Sequence, residues 1–207
     1  MLNPRVAIII DKLDRGGTEL QLLKLLPLLS KAGFSLEVYT LHDGGALSDV
    51  MSAKGVAVFE GTAQRGWTSI PVMIFCLARL MRRNSPDIVH FYLPEAYIVG
   101  SIAALVSGCR HRVMSRRSLN NYQQKRPGTR AVEKILHRLT DALIGNSRAV
   151  TQQLRTEGAA IDKLGLIYNG VDVRALPSMA ERAHARKALG LNEDSIAGIT
   201  ISNLKPY

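Results

Sequence analysis

The sequence predicts an α/β fold, a Rossmann-like, doubly wound and mostly parallel sheet with helices on both faces. Three observations lead there. Short apolar runs recur at residues 6–10, 36–41, 56–59, 88–91, 112–115, 142–145 and 164–167. Segments of helical period separate most of them, and strand alternating with helix in this way builds a parallel sheet covered on both sides. The composition, 46% hydrophobic and 21% charged over 207 residues, suits a globular chain able to bury a core.

The first run leads through "DKLDRGG" into the best-marked helix. Thr18 stands where it would cap that helix, with Gln21 as its capping-box partner, and Leu22, Leu25, Leu26 and Leu29 make a stripe for the core. Pro27 removes one backbone hydrogen bond, so a kink or an earlier end is expected before Gly33 closes the segment. Two later apolar segments, residues 70–81 and 96–106, fall short of the ~20 residues needed to cross a bilayer, and Arg79 interrupts the first. They read as buried or half-buried helices.

The start, "MLNPRVAIIID", enters a strand with no basic flank or cleavage site before it, so no signal peptide is expected. Cys76 falls in a helical pattern and Cys109 follows a glycine, which suggests neither metal spacing nor a disulfide framework. The cytoplasm is the expected compartment. After residue 175 the chain turns polar and basic, then resumes an apolar strand at residues 196–202. The expected organisation is a first domain over 1–175, a linker or helix over 176–195, and the opening strand of a second domain over 196–207.

A net charge of +10 favours an anionic partner. Most of it lies between Arg110 and Arg138, where nine bases face one acid, Glu133. Within that stretch "RRSLNNYQQKRPGTR" combines charge with a proline and a glycine that suit a loop, and Lys125, Arg126 and Arg130 are its candidate contacts to an anionic membrane surface. A solvated helix face would show the same charges.

Open parallel sheets bind ligands at the carboxyl ends of their strands, which is where the candidate site residues fall. Gly16 and Gly17 follow the first strand, where backbone N–H groups and the helix dipole favour an anion. A tight strand-to-helix turn needs the same glycines, and the two readings stand level. His90 ends the fourth strand, as a ligand contact or a structural histidine. Arg116 and Arg117 follow the fifth, where a guanidinium pairs with phosphate or sits in a solvated loop. Asn146 precedes Ser147, a natural helix cap, and Asn169, Gly170 and Asp172 form a turn after the seventh strand. The three-glycine dinucleotide pattern and the Lys–Ser/Thr ending of a P-loop are both missing from the first turn.

In order, Gly16–Glu19, "PDIVHFYLP", "DALIGNSRAV" and "IYNGVD" resemble the N-terminal half of a family 4, GT-B-type retaining glycosyltransferase. The resemblance implies transfer of a sugar from a nucleotide-diphosphate donor to a hydroxyl, with no metal and no cofactor, in polysaccharide or glycolipid synthesis. It makes this chain the acceptor side of the cleft, incomplete and inactive alone, with most donor contacts on a second domain that "ITISNLKPY" would open. It brings Gly16 and Gly17 to the donor diphosphate and gives His90 the catalytic position. Tyr92 stands where the family has a second histidine. Glu19, Tyr92, Arg116, Asn146, Asn169 and Asp172 are then the acceptor or cleft residues. The implied acceptor is lipid-linked or saccharide, and the implied location is cytoplasmic, peripheral at the inner face of a membrane. Two other classes remain. A basic nucleic-acid module fits the charge, although aromatics are only 5% and no sequence-specific reading motif is evident. A nicotinamide-dependent oxidoreductase shares the sheet.

Overall fold

The structure, a computed structural model, describes residues 3–61, 69–119, 127–173, 175–192 and 194–200. The chain forms two compact units, Met1–Gly170 and Val171–Tyr207. In the first, β1 (Arg5–Ile10), β2 (Ser35–Thr40), β3 (Ala57–Phe59), β4 (Ile88–Tyr92), β5 (His111–Arg116), β6 (Ala142–Gly145) and β7 (Leu164–Leu166) pair in the order β3-β2-β1-β4-β5-β6-β7. Every pairing is parallel, so the expected mostly parallel sheet is wholly so among the described residues.

Side chains alternate along a strand, so Val6, Ile8 and Ile10 face one side of β1 while Ala7 and Ile9 face the other. Both sets are buried because both faces are covered. On the first face lie α1 (Gly17–Lys31) and α2 (Ser48–Ala53), which contribute Leu22, Leu26 and Met51 to the cluster around Ile8 and Ile10. On the second lie α3 (Ile70–Asn84), α4 (Pro94–Ser107), α5 (Pro127–Leu139) and α6 (Arg148–Thr156). Their Leu77, Ala103, Leu136 and Leu154 join Ile9, Val89 and Phe91. Each fully buried Leu, Ile or Phe in these clusters contributes roughly 1.5–3 kcal/mol. The layers are close: a Cβ on Gly100 of α4 would stand 2.8 Å from the Phe91 ring.

This order places β2 and β4 on opposite sides of β1. Connections leaving β1 and β4 therefore diverge, and a crevice opens beyond their carboxyl ends.

Several local expectations change. Gly16 precedes α1 in extended conformation (φ −110°, ψ 168°), with no side-chain cap. Thr18 is already inside the first turn and buried, so it cannot act as the cap. Gln21 is no capping-box partner either, because its amide, with oxygen and nitrogen suitably assigned, exchanges two hydrogen bonds with the Gly170 backbone at 3.2 and 3.3 Å. Packing by Leu22 and Leu26 carries the helix past Pro27 to Lys31, while Leu25 and Leu29 are only half-buried. Cys76 points outward from α3 and is exposed.

In the second unit α7 (Met179–Ala188) is closed by a capping box: Ser178 Oγ accepts from the Glu181 N–H, and Glu181 accepts from the Ser178 N–H at 2.8 Å. Residues 196–200 of the expected last strand form no strand, since a strand needs a neighbour to pair with. Residues 201–207 lie outside the described residues.

Candidate functional site

Two helix N-termini border the crevice, and their surroundings differ. Asp11, just past β1, accepts a hydrogen bond from the Ala96 N–H at 2.6 Å, so the positive end of α4 already faces a carboxylate. Beside it the buried His42 lies 3.2 Å from Glu95. At the start of α1, Gly17 is exposed, and a Cβ built on it meets nothing within 4 Å. Its φ is negative, so the chain's own fold does not demand glycine there. Gly16 differs: a Cβ there would overlap the Glu19 carboxylate. Glu19 is buried, and its carboxyl is held above the usual range by burial, partly offset by its own backbone N–H and reinforced by Asp14.

The ends of β4 and β5 supply the next groups. His90 and Tyr92 lie two residues apart on one face of β4, with ring centroids 4.4 Å apart. In the parallel register of β4 and β5, Ser115 stands opposite Tyr92, and its Oγ is 2.8 Å from His90 Nε2. Burial, aided by the Arg117 charge, pushes His90 down to about 3, so the imidazole is neutral at physiological pH. Burial pushes Tyr92 up to about 12, and it stays a phenol. Arg117, lowered by burial, donates through Nη2 to Asn169 Oδ1 at 2.5 Å. Asn146 donates through Nδ2 to the Arg117 carbonyl at 3.0 Å, while Ser147 caps α6 by accepting from the Val150 N–H.

The start of α1 and the loops after β5, β6 and β7 are thus tied at one edge of the sheet, through Gln21–Gly170, Arg117–Asn169 and Asn146–Arg117. Next to them a cavity of about 90 Å³ is lined by Thr18, Leu93, Tyr97, Ser115 and Arg117 among others. Leu93 turns β4 into α4 with φ 70° and ψ 154°, a region normally left to glycine. The groups gathered at this edge are a cation, a neutral imidazole, a hydroxyl and two amides, with the Tyr92 phenol buried beneath them in the cluster around Ile8 and Ile10. They suit the holding of hydroxyls and an anion better than proton abstraction.

Arg116, expected at the cleft, is in the core. It shares the face of β5 that carries Met114, and its guanidinium donates to Glu133 at 2.7 Å and to Glu157, all three side chains being buried. His137 completes the cluster, 3.6 Å from Glu157 and 2.8 Å from the Tyr97 hydroxyl. Glu133, His137 and Glu157 lie close enough to share a cation, and Arg116 is the cation between the two carboxylates. The basic stretch is therefore not one patch, since Arg112 also pairs with Asp141 at 3.8 Å. Arg130 is exposed on α5, whereas Lys125 and Arg126 lie outside the described residues. Asp172 is exposed in the second unit. The sequence reading passed over Asp11, Leu93 and Ser115 and ranked Arg116 above Arg117. Extending the alternation of β5 by one residue reverses that ranking, because it pairs Ser115 with Arg117 and Met114 with Arg116.

Similar solved structures share this fold. HepE from Anabaena, solved with UDP and glucose, matches at TM-score 0.71 and 20% identity, over 89% of this chain and 50% of its own. A glycosyltransferase from Rickettsia africae matches at TM-score 0.69 and 15% identity, over 94% and 51%. The lipopolysaccharide outer core galactosyltransferase WaaB, in its apo form, matches at TM-score 0.64 and 14% identity, over 83% and 47%. The chain thus spans about half the length of these structures. Among curated proteins no sequence matches. The family model of Glycosyltransferase Family 4 matches residues 15–175, and the chain belongs to that family.

Proposed function

We propose that this chain is the acceptor-side part of an enzyme that moves a sugar from a nucleotide-diphosphate donor to a hydroxyl with retention of configuration. The bond between the sugar's anomeric carbon and the diphosphate oxygen breaks with its electron pair on the diphosphate. The acceptor hydroxyl forms the new bond on the same face, and its proton passes to the departing phosphate. The site's task is to hold charge and geometry through an oxocarbenium-like state. The α1 N-terminus at Gly16 and Gly17 faces the diphosphate, and neutral His90, fixed by Ser115, faces the sugar hydroxyls. Asn146, Asn169 and Arg117 line the acceptor side, with Tyr92 buried beneath them. The donor's sugar and base are held by a second domain, no metal or cofactor takes part, and the work is cytoplasmic, in polysaccharide or glycolipid synthesis. HepE, a structure of the same fold, was solved with UDP-glucose, which supports the donor class.

The observation carrying the reading is Gly17, which the chain's own packing leaves open at a helix N-terminus on the ligand-bearing edge. The test is the full-length protein assayed with nucleotide sugars, beside Gly17→Val. The variant is expected to keep its fold by circular dichroism and lose tenfold or more in kcat/KM, because the side chain blocks approach to the backbone N–H groups. Undiminished turnover in that variant would overturn the placement of the diphosphate, and absence of sugar transfer by the full-length protein from any nucleotide sugar would overturn the function.

A further inference from the structure

Arg117 is a cation with no carboxylate partner among the described residues. Its Nη2 donates to the neutral Asn169 amide, and its Nε is buried without a hydrogen-bond partner. Burial lowers the guanidinium from its ordinary value, and only the Tyr92 phenol offsets that loss. The acids nearby are engaged elsewhere. Glu133 and Glu157 take Arg116, Glu95 takes His42, Asp11 takes the start of α4, and Glu19 folds back against Gly16. Residues 118–132, which follow Arg117 in the chain, include no Asp or Glu at all. A buried charged donor left unpaired is costly, so an arginine held in this state marks a place where a partner arrives from outside the protein.

Arg117 lines the cavity of about 90 Å³ that lies between the starts of α1 and α4 and the end of β5. Thr18, Ser115 and Ser118 add hydroxyl-bearing residues to that lining, which contains no carboxylate. The other arginine of the lining, Arg116, is neutralised from behind by its two glutamates. The cavity therefore carries one uncompensated positive charge beside hydroxyl groups. That charge reaches His90, whose imidazole it helps to keep neutral.

One guanidinium matches one carboxylate, both in charge and in the planar fork of its donors. A phosphate monoester brings about −1.5 to −2 charges, which a single cation in a small cavity leaves unbalanced. A diphosphate at Gly16 and Gly17 has the α1 backbone N–H groups, whereas Arg117 stands with Asn146 and Asn169. We propose that the acceptor is an acidic saccharide of the uronic acid type, whose carboxylate Arg117 binds in this cavity while a neighbouring hydroxyl receives the transferred sugar. The proposal rests on the sugar-transfer reading above and adds to it the chemical class of the acceptor. It makes Arg117 a specificity-determining residue, because a neutral sugar leaves the guanidinium unpaired, and a site built around a polar partner rejects the analogue that lacks it.

The test is calorimetric titration of the full-length protein, without donor, with the methyl glycosides of glucuronate, galacturonate and mannuronate, each beside its neutral parent sugar. At least one acid is expected to bind tenfold or more tightly than its neutral counterpart. Arg117→Gln should abolish that preference with circular dichroism unchanged, and Arg117→Lys, which keeps the charge, should retain part of it. No preference in any of the three pairs, or a preference that Arg117→Gln leaves intact, would overturn the proposal. So would tighter binding of glucose 6-phosphate than of every uronate, or loss of uronate binding under saturating UDP, since either would give Arg117 to a phosphate. The titration needs no turnover. Absence of sugar transfer would thus overturn the function and leave the binding result intact, and absence of uronate binding would leave the transfer assay untouched.

Discussion

Arg117 reaches from the end of β5 to Asn169 in the loop after β7, its Nη2 donating to Oδ1 at 2.5 Å. Asn146 holds the Arg117 backbone from the next strand along, so one arginine links three of the loops that border the crevice. A bond at an exposed position contributes little to folding, about 1 kcal/mol or less, so the weight of this arrangement falls on where it puts the charge.

In the full-length enzyme, Arg117→Ala and Asn169→Ala should each lower kcat/KM about tenfold while shifting unfolding midpoints little. Because the two act as a unit, the double variant should be scarcely worse than the poorer single one. Additive losses in a double-mutant cycle would mean that the two residues contact the substrates independently.

Arg116 should behave in the opposite way. Removing it leaves Glu133 and Glu157 buried and facing each other without a cation, and breaking such a pair costs about 3–5 kcal/mol. Arg116→Ala should therefore fail in urea far earlier than the parent. A loss of activity without a loss of stability would return Arg116 to the substrate side.

The contrast between these adjacent arginines shows what a sequence can tell. The sheet was legible because residues 6–10 are apolar on both faces and residues 88–91 are so apart from His90, and only a doubly covered strand needs that. The motifs at Gly16, His90, Asn146 and Asn169 were legible as strand ends, and the topology gathers strand ends along one edge. Arg116 and Arg117 are chemically identical, and what separates them is the phase of one strand. Glu157 and Glu133, which claim Arg116, stand 41 and 17 residues away, so the ion cluster depends on tertiary packing that local spacing does not encode. The α1 cap was misplaced for a similar reason: Gln21 finds its partner at Gly170, far along the chain.

Leu93 offers a test of stored backbone strain. Its φ of 70° with ψ of 154° belongs to a region that costs a residue with a side chain of order 1–3 kcal/mol. Leu93→Gly and Leu93→Ala both lose the side chain's packing, so comparing them cancels that loss. The glycine variant should be the more stable of the two by about 1 kcal/mol or more, although glycine ordinarily destabilises by loss of chain entropy. Equal stabilities in thermal unfolding would mean that the turn relaxes into an unstrained conformation.

The neutral imidazole of His90 predicts a pH dependence whose direction is fixed. In the unfolded chain it takes up a proton near its ordinary 6.5, whereas in the folded chain burial and Arg117 hold it down to about 3. Between those values the unfolded state binds one more proton than the folded state, so stability rises with pH. The contribution is complete above about pH 6.5 and is lost progressively as the pH falls toward 3. From pH 7 to pH 5 this one group should cost the folded state about 2 kcal/mol. His90→Gln keeps a side chain able to hydrogen-bond Ser115 but has no proton to gain, so urea midpoints of the variant should fall less over that interval by a corresponding amount. Parallel pH profiles for the two proteins would mean that His90 takes up its proton as readily in the folded chain as in the unfolded one, and that burial does not hold it neutral.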